Sequence, residues 1–294
     1  EPGDRWRPLW SKLAQMGVVG LTAPESCGGL GLSDLDFVLL VEEAGRAAMP
    51  GPIVETTAVA LPSLGELEPA PRAAAGDAIV AVGLHGDEAG FGADADALLL
   101  TTGDELHLVE RAAVTVEPVR SVDGLRRLAA VSWQPAPSTR IGGHAELQDA
   151  RDRGALAVAA QLCGVAAHLI EVTVEYAKQR HQFGVPIGTF QAVKHHCANA
   201  ALALEYARPL VYRGAYSMSR HDAERSIHVS MAKAYASDAA RLAARVALQV
   251  HGAIGYTAEH DLQLWMKRAW SLSAAWGDAA FHRRRVSDAV FGPG

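Results

Sequence analysis

The sequence has few cysteines and lacks a long uncharged apolar run. Its three cysteines, Cys27, Cys163 and Cys197, lie far apart and none belongs to a CxxC pair, so neither a disulfide framework nor a zinc site is predicted. No run of about twenty apolar residues without charge occurs. The start, EPGDRWRPLW, lacks the apolar core of a signal peptide. We therefore expect a cytoplasmic protein without a membrane span.

An excess of positive charge is also absent. The chain has 27 Lys and Arg residues against 33 Asp and Glu residues, which gives a formal net charge of −6. This balance offers no overall attraction to nucleic acid or to an anionic membrane surface. What the 294 residues do have is a hydrophobic content of 49%, enough to bury a substantial core in two or three structural units.

The residue patterns predict helices at both ends of the chain and short strands between them. Near the start, helical spacing relates five apolar residues, Trp6, Leu9, Trp10, Leu13 and Met16. Ser33 is a candidate N-cap for the helix that begins DLDFVLL. Between residues 77 and 133, five short runs rich in apolar and β-branched residues predict strands: DAIVAVGL, ADALLLTT, ELHLVE, AAVTVEPV and LAAVSW.

The remaining chain predicts a linker and then long helices. QPAPSTRIGG has linker composition, and the Ala- and Leu-rich stretches after residue 145 are interrupted at FGVPIG, SRHDAE and HGAIGYT. The expected fold is mainly α with a small β unit. Its domains are an N-terminal helical domain (1–75), a reduced middle β domain (76–140) and a C-terminal bundle of four or five helices (141–294).

Three stretches together resemble a known family. YAKQRHQFGVPIGTFQAVKH and QVHGAIGYTAEHDLQLWMKRA, in this order and at this separation, resemble the C-terminal helical domain of the acyl-CoA dehydrogenases. VVGLTAPESCGGLGLSDLDFVLLVEEAGRA resembles their N-terminal helical domain. An isolated RxxFG or HGxxG would indicate little, whereas the combination is specific. The resemblance covers most of the chain and is weak only in the middle.

The resemblance implies a helical, β and helical domain order, FAD as cofactor and α,β-dehydrogenation of an acyl-CoA thioester. In such enzymes a carboxylate removes the α-proton while the β-hydrogen leaves as hydride to the flavin. The protein positions both reactants and tunes the flavin. The family is usually tetrameric, and each FAD lies at a dimer interface where two chains touch it.

The resemblance assigns eight residues to the FAD of a neighbouring subunit. Arg180 would grip the pyrophosphate, a task suited to a permanently charged, planar donor. Gln182 and Phe183 would supply a hydrogen-bonding group and an apolar wall, and two further side chains, those of Ile187 and Phe190, would line the adenine end. Taken singly, Arg180 would be a surface residue at a helix end, and Phe183 and Ile187 would be core residues.

The resemblance implies that the second motif contacts the same FAD of the neighbouring subunit. Gln249 and Gly252 match contacts to its adenosine and pyrophosphate, where a missing Cβ lets backbone approach a ligand. Ala253 stands where a second glycine is usual, which predicts a looser approach. Taken singly, Gly252 would be a helix C-cap.

The expected catalytic base is missing. Trp276 occupies the usual glutamate position, and indole has no basic lone pair to accept a proton. A minority of family members carry the base on an earlier helix, at the position of Gly154 here. Asp152 and Glu146 lie nearby, but using either requires a shift in register. The middle segment also lacks the Thr/Ser-Glu-Pro-x-x-Gly-Ser-Asp loop that packs on the flavin in this family.

Two clusters of polar residues receive structural interpretations. The adjacent His195 and His196 do not face one another on a helix, so no metal site is predicted. The basic run HRRR at 282–285 is interpreted as a solvated helix face.

The family features that this sequence lacks are those with which a chain contacts its own FAD and substrate. The residues that contact the FAD of a neighbouring chain are retained. The sequence thus resembles the shortened, base-lacking subunit of actinobacterial α2β2 acyl-CoA dehydrogenases, including those of steroid side-chain degradation. A catalytic partner chain would then hold most of the acyl-CoA and share the FAD. Three alternatives stay open: a homomeric dehydrogenase with a relocated base, a flavin-free scaffold, and another flavin enzyme of this fold, such as an acyl-CoA oxidase or a nitroalkane oxidase.

Overall fold

The computed structural model describes residues 6–292, which form two compact units. Of the described residues, the first unit contains 6–37 and 50–157, and the second contains 38–49 and 158–292. The helical and β composition confirms the predicted fold class. The three domains predicted from the sequence (1–75, 76–140 and 141–294) stay a prediction.

The first unit is built around a seven-stranded sheet. In chain order its strands are β1 (Val80–Gly83), β2 (Glu88–Gly90), β3 (Ala97–Thr102), β4 (Glu105–Glu110), β5 (Thr115–Pro118), β6 (Leu128–Ser132) and β7 (Arg140–Gly142). They are arranged β5-β6-β2-β1-β3-β4-β7, and β1 and β3 pair in parallel while all other neighbours are antiparallel. Leu98, Leu100 and Val109 contribute to its buried core.

All five predicted strands are present, and two short strands were missed. β2 and β7 have three residues each, too few to show a period-2 pattern. β7 lies in the segment interpreted as a linker. It pairs with β4 through a register shift, so its place in the sheet depends on a distant strand and not on its own residues.

Short helical segments complete the first unit. They are α1 (Arg7–Gln15), a π-helix (Ile53–Ala60), α3 (Leu61–Leu64) and α4 (Ala70–Ala74). The buried face of α1 is narrower than predicted: Trp6 and Trp10 are buried, whereas Leu9 and Met16 are exposed. The Trp6 ring packs edge-on against Trp10 and Phe91.

Helix α2 (Asp34–Arg46) begins where Ser33 predicted it would. The Ser33 N–H and hydroxyl both donate to the Asp36 carboxylate, at 3.0 and 2.7 Å. The Asp36 carboxylate thus satisfies the Ser33 N–H, as in one half of a capping box, and the hydroxyl above all holds the pKa of Asp36 below its usual range.

The second unit is a helical bundle. Its five long helices are α5 (His144–Gln179), which enters it at residue 158, α6 (Gln191–Ser219), α7 (Arg225–His251), α8 (Leu262–Ala274) and α9 (Ala279–Phe291). By length and composition α5 could cross a membrane, but 78% of its most apolar stretch is buried inside the protein. That burial is typical of a core helix.

Glycines allow a close crossing between α2 and α5 within the second unit. A Cβ on Gly45 would lie 2.1 Å from the carbonyl oxygen of Gln161, and one on Gly164 would lie 1.8 Å from that of Glu42. Both distances are far below van der Waals contact. The two helices can therefore touch backbone to backbone only because neither glycine has a side chain.

Gly164→Ala is expected to destabilise the protein strongly. The added methyl group meets backbone that cannot rotate away, so the free energy of unfolding should fall by about 3 kcal/mol, the upper part of the usual range for overpacking. Urea unfolding measures this loss. Gly124→Ala is the matched control, since a Cβ there would meet nothing within 4 Å. Equal stability of the two variants would contradict the crossing.

Candidate functional site

The first motif forms a compact turn after α5. Strands β8 (His181–Gln182) and β9 (Val185–Pro186) pair around Phe183 and Gly184, whose φ angles are +53° and +79°. Two successive positive φ angles are typical of a tight type I′ hairpin. The Ile187 N–H donates to the Arg180 carbonyl at 2.8 Å and closes the loop.

The turn displays its polar and aromatic side chains outward. Phe183 is 92% exposed, and its ring meets the edge of Phe190 at a centroid distance of 6.2 Å. Arg180 and Gln182 are exposed and Ile187 is half-buried. The Arg180 side chain forms no ion pair with any residue from 6 to 292. The Arg180 guanidinium is therefore available to an anion, and the same turn exposes an aromatic edge.

The second motif forms the end of α7. Gly252 follows the helix with φ +64° and ψ −138°, a conformation nearly restricted to glycine. A Cβ added here would point into open space, since no atom of the described residues other than its chain neighbours lies within 4 Å. Gln249 and Ala253 are exposed on either side of it. The backbone here is thus accessible to a ligand from outside the chain.

An aromatic stack brings the two motifs together. The Tyr176 ring lies on the His251 ring at a centroid distance of 4.3 Å and an interplanar angle of 22°. The Tyr176 main-chain carbonyl accepts the Arg180 N–H at 2.8 Å, and His251 immediately precedes Gly252. The stack places the Arg180 turn and the Gly252 turn side by side in the second unit. The role of this stack was not predictable from the sequence, because no spacing rule relates residues 75 positions apart.

Acid is expected to weaken this stack. Burial lowers the pKa of His251, and burial likewise lowers that of His168. The folded state thus favours neutral imidazole, so the stabilisation is present above the unfolded pKa of about 6.5 and is lost as the pH falls toward the folded value. The melting temperature should drop between pH 7.5 and 5.5. The drop should be smaller in His251→Asn, whose amide can still donate to the Ala247 carbonyl.

The exposed His195 provides the control for this pH effect. His195→Asn should show the full wild-type drop. An identical drop in His251→Asn would contradict the assignment.

The corner that follows α8 is closed around a tryptophan. Trp276 is 8% exposed and has φ +58°, and Gly277 has φ +87°. The fully buried Lys233 ammonium donates to the carbonyls of Ser273 (3.2 Å) and Gly277 (2.9 Å). The Lys233 hydrogen bonds thus hold the backbone of the corner in place, and the Trp276 indole fills its interior. The role of Lys233 was not predictable from the sequence, where it looks like an ordinary helix residue.

The interpretation of 282–285 as a solvated face is wrong for its first residue. His282 is 1% exposed and lies within hydrogen-bond distance of the Trp276 carbonyl (2.9 Å) and the Ser230 hydroxyl (3.2 Å). The turn of α9 directs this side chain under the corner, whereas Arg283 and Arg284 are exposed. The sequence HRRR alone does not indicate that His282 is buried while Arg283 and Arg284 are exposed.

The other candidate bases have structural environments. Gly154 is buried in α5 and Asp152 is fully buried in the same helix. The Glu146 carboxylate accepts the Gly143 N–H at 2.8 Å, caps the start of α5, and has its pKa lowered mainly by that bond. Among residues 6–292, no group of three or more His, Cys, Asp or Glu side chains could hold a metal ion.

Two protein-family models match this chain. Residues 143–291 match the acyl-CoA dehydrogenase C-terminal domain, and residues 2–66 match the acyl-CoA dehydrogenase N-terminal domain. The chain belongs to the acyl-CoA dehydrogenase family. Both motifs of the candidate site, at residues 176–195 and 249–269, fall inside the C-terminal match.

Two mycobacterial relatives span nearly all of the chain. The acyl-CoA dehydrogenase IpdE2 of Mycolicibacterium smegmatis is 35% identical over 286 residues, covering 96% of this chain and 88% of that protein. Acyl-CoA dehydrogenase FadE34 of Mycobacterium tuberculosis is also 35% identical and covers 97% of this chain. The chain spans only 42% of the length of FadE34.

Solved structures of this family share the fold. A chain of the ChsE4-ChsE5 complex from Mycobacterium tuberculosis superposes with a TM-score of 0.88 at 25% identity, covering 98% of this chain and 89% of that one. A chain of the Tcur3481-Tcur3483 steroid acyl-CoA dehydrogenase, a G363A variant, gives a TM-score of 0.87 at 24% identity, covering 97% and 88%. Both are structures of two-protein complexes.

Proposed function

We propose that this chain is the non-catalytic subunit of a heteromeric, FAD-dependent acyl-CoA dehydrogenase. It completes the FAD site of a partner chain that carries the catalytic glutamate. The observation that carries the proposal is a contrast within the second unit. The surface for a neighbour's cofactor is open and assembled, whereas the glutamate position is closed by buried Trp276.

The exposed surface fits the outer half of FAD. The free Arg180 guanidinium suits a pyrophosphate, which it can bind in a bidentate manner. The Phe183–Phe190 edge offers an apolar wall for a planar ring, with Ile187 beside it. Gln182 and Gln249 are exposed amides for the sugar and base.

Gly252 supports the same assignment from the backbone side. Its conformation excludes a side chain, and the space where a Cβ would stand is open to a ligand. Ala253, at the usual place of a second glycine, adds a methyl group beside this open space. When bound, FAD supplies the hydride acceptor. This chain's part is to hold the dinucleotide, to shield it from water and to orient it toward the partner's substrate.

We assign to the partner the steps for which this chain lacks the residues. No carboxylate stands at residue 276 or 154, so proton removal is assigned to the partner, which also holds most of the acyl-CoA. The complexes found among similar structures support a two-chain assembly, and we propose an α2β2 arrangement. The steroid enzyme among them supports a steroid side-chain CoA thioester as substrate. We also propose a cytoplasmic location, since the three cysteines are free.

Co-expression with an acyl-CoA dehydrogenase chain that has the glutamate tests the proposal. The two chains should co-purify as a yellow complex that oxidises a steroid side-chain CoA thioester, and replacing the partner's glutamate by glutamine should abolish turnover. Activity in this chain alone would favour a homomeric enzyme with a relocated base. A colourless complex would favour a flavin-free scaffold, and product formation with peroxide release would favour an oxidase.

A further inference from the structure

A second exposed surface lies on α7 and α8, apart from the residues assigned to FAD. A groove of about 600 Å³ opens between these helices. The groove is lined by residues from two helices: Asp238, Arg241, Leu242, Arg245 and Leu248 on α7, and Trp270 on α8. We call this the arginine groove.

The two arginines of the groove have no counter-ion among the residues that the structure describes. Arg241 and Arg245 are exposed and lie one helical turn apart, where like charges repel. Neither forms a hydrogen bond or ion pair through its side chain with any residue between 6 and 292. The one acidic residue of the lining, Asp238, is paired with Arg283. The groove thus has an excess of positive charge in a chain that is negative overall.

The apolar part of the groove is also uncovered. Trp270 is 43% exposed on α8, although its neighbours Ala269 and Ser271 are buried. Leu242 and Leu248 are half-buried beside it. Exposed tryptophan and arginine over an apolar floor are the composition of binding hot spots at protein interfaces.

The groove is continuous with the surface assigned to the shared cofactor. Arg245 lies four residues before Gln249, so both side chains stand on the same face of α7. Arg241 extends that face by one further turn. A chain that covers a dinucleotide at Gln249 and Gly252 would reach the groove without leaving this helix face.

We infer that the arginine groove receives an acidic segment of the catalytic partner, an inference that rests on the proposed function. A carboxylate of the partner accepts hydrogen bonds from Arg241 and Arg245, and an adjacent apolar side chain covers Trp270. An acidic segment complements the unpaired charge of Arg241 and Arg245, whereas a second copy of this chain would bring further arginines to the interface. The groove thereby favours the heteromer over a homodimer.

Double charge reversal tests the inference in the two-chain complex. R241E/R245E should weaken the affinity for the partner at least about a hundredfold, because close charge pairs across an interface are strongly coupled. The control R120E/R220E makes the same change in net charge at two exposed arginines outside the groove. Biolayer interferometry should give the control the wild-type affinity. Both variants should melt at the wild-type temperature, since all four side chains are exposed.

Trp270 reports on the location of the contact. Its emission should shift to the blue when the partner binds, and the shift should be missing in Trp270→Phe. Raising the salt concentration should weaken the wild-type complex more steeply than R241Q/R245Q, since the screened charges are absent there.

Wild-type affinity in R241E/R245E would overturn the inference and leave the shared FAD site standing. Saturable binding of inorganic phosphate to the chain without its partner, lost in R241E/R245E, would also overturn it, because the groove would then be a small-anion site. Failure of the wild-type chain to bind any glutamate-bearing dehydrogenase chain would overturn the inference and the proposed function together.

Discussion

Arg180→Ala should lower the affinity of the two-chain complex for FAD by about 10- to 100-fold. The guanidinium forms no ion pair inside the residues described, so its charge is available to the pyrophosphate, and charge-assisted hydrogen bonds contribute about 1.5–3 kcal/mol each. Fluorescence titration of the apo-complex with FAD measures the change. The loss is expected although the catalytic glutamate belongs to the other chain.

Two variants control for this result. Arg180→Lys should recover part of the affinity, since lysine keeps the charge but not the planar fork. Arg220→Ala removes another exposed arginine of the same unit and should leave FAD affinity unchanged. Unchanged flavin occupancy in Arg180→Ala would contradict the assigned role.

Trp276→Glu should destabilise the chain by about 3–5 kcal/mol and produce no dehydrogenase activity without the partner. It removes a buried indole and places a carboxylate where only 8% of the side-chain surface is accessible. The gain of a base does not supply the rest of the site, because the sequence contains no loop resembling the one that packs on the flavin in this family. Urea unfolding and an assay for enoyl product measure the two effects.

The same substitution at an exposed tryptophan provides the comparison. Trp270→Glu, on α8, should change the stability of the isolated chain by less than about 1 kcal/mol. If Trp276→Glu yields enoyl product from the chain alone, the single missing base was the only defect, and the heteromer proposal is wrong.

Elements with strong local signals were predictable from the sequence. Ser33 marked the start of α2, and all five strand runs contain a strand, because capping and apolar patterning act within a few residues. The three-residue strand β7 was not predictable, since its place depends on pairing with β4.

The candidate site likewise has features that were predictable from the sequence and features that were not. The sequence identifies the Arg180 and Gly252 motifs, but the Tyr176–His251 stack that joins them needs the fold. Buried polar residues were the least predictable. Lys233 and His282 look like surface residues until the corner at Trp276 brings carbonyl groups to them. Long-range packing decides which charges are buried, and no local pattern encodes it.

We propose that this chain holds FAD only together with a partner. The flavin content of three preparations tests this: this chain alone, the partner alone and the complex, each measured by absorbance after release of the cofactor. We expect about one FAD per two chains in the complex and almost none in this chain alone. A fully flavin-loaded preparation of this chain by itself would contradict it.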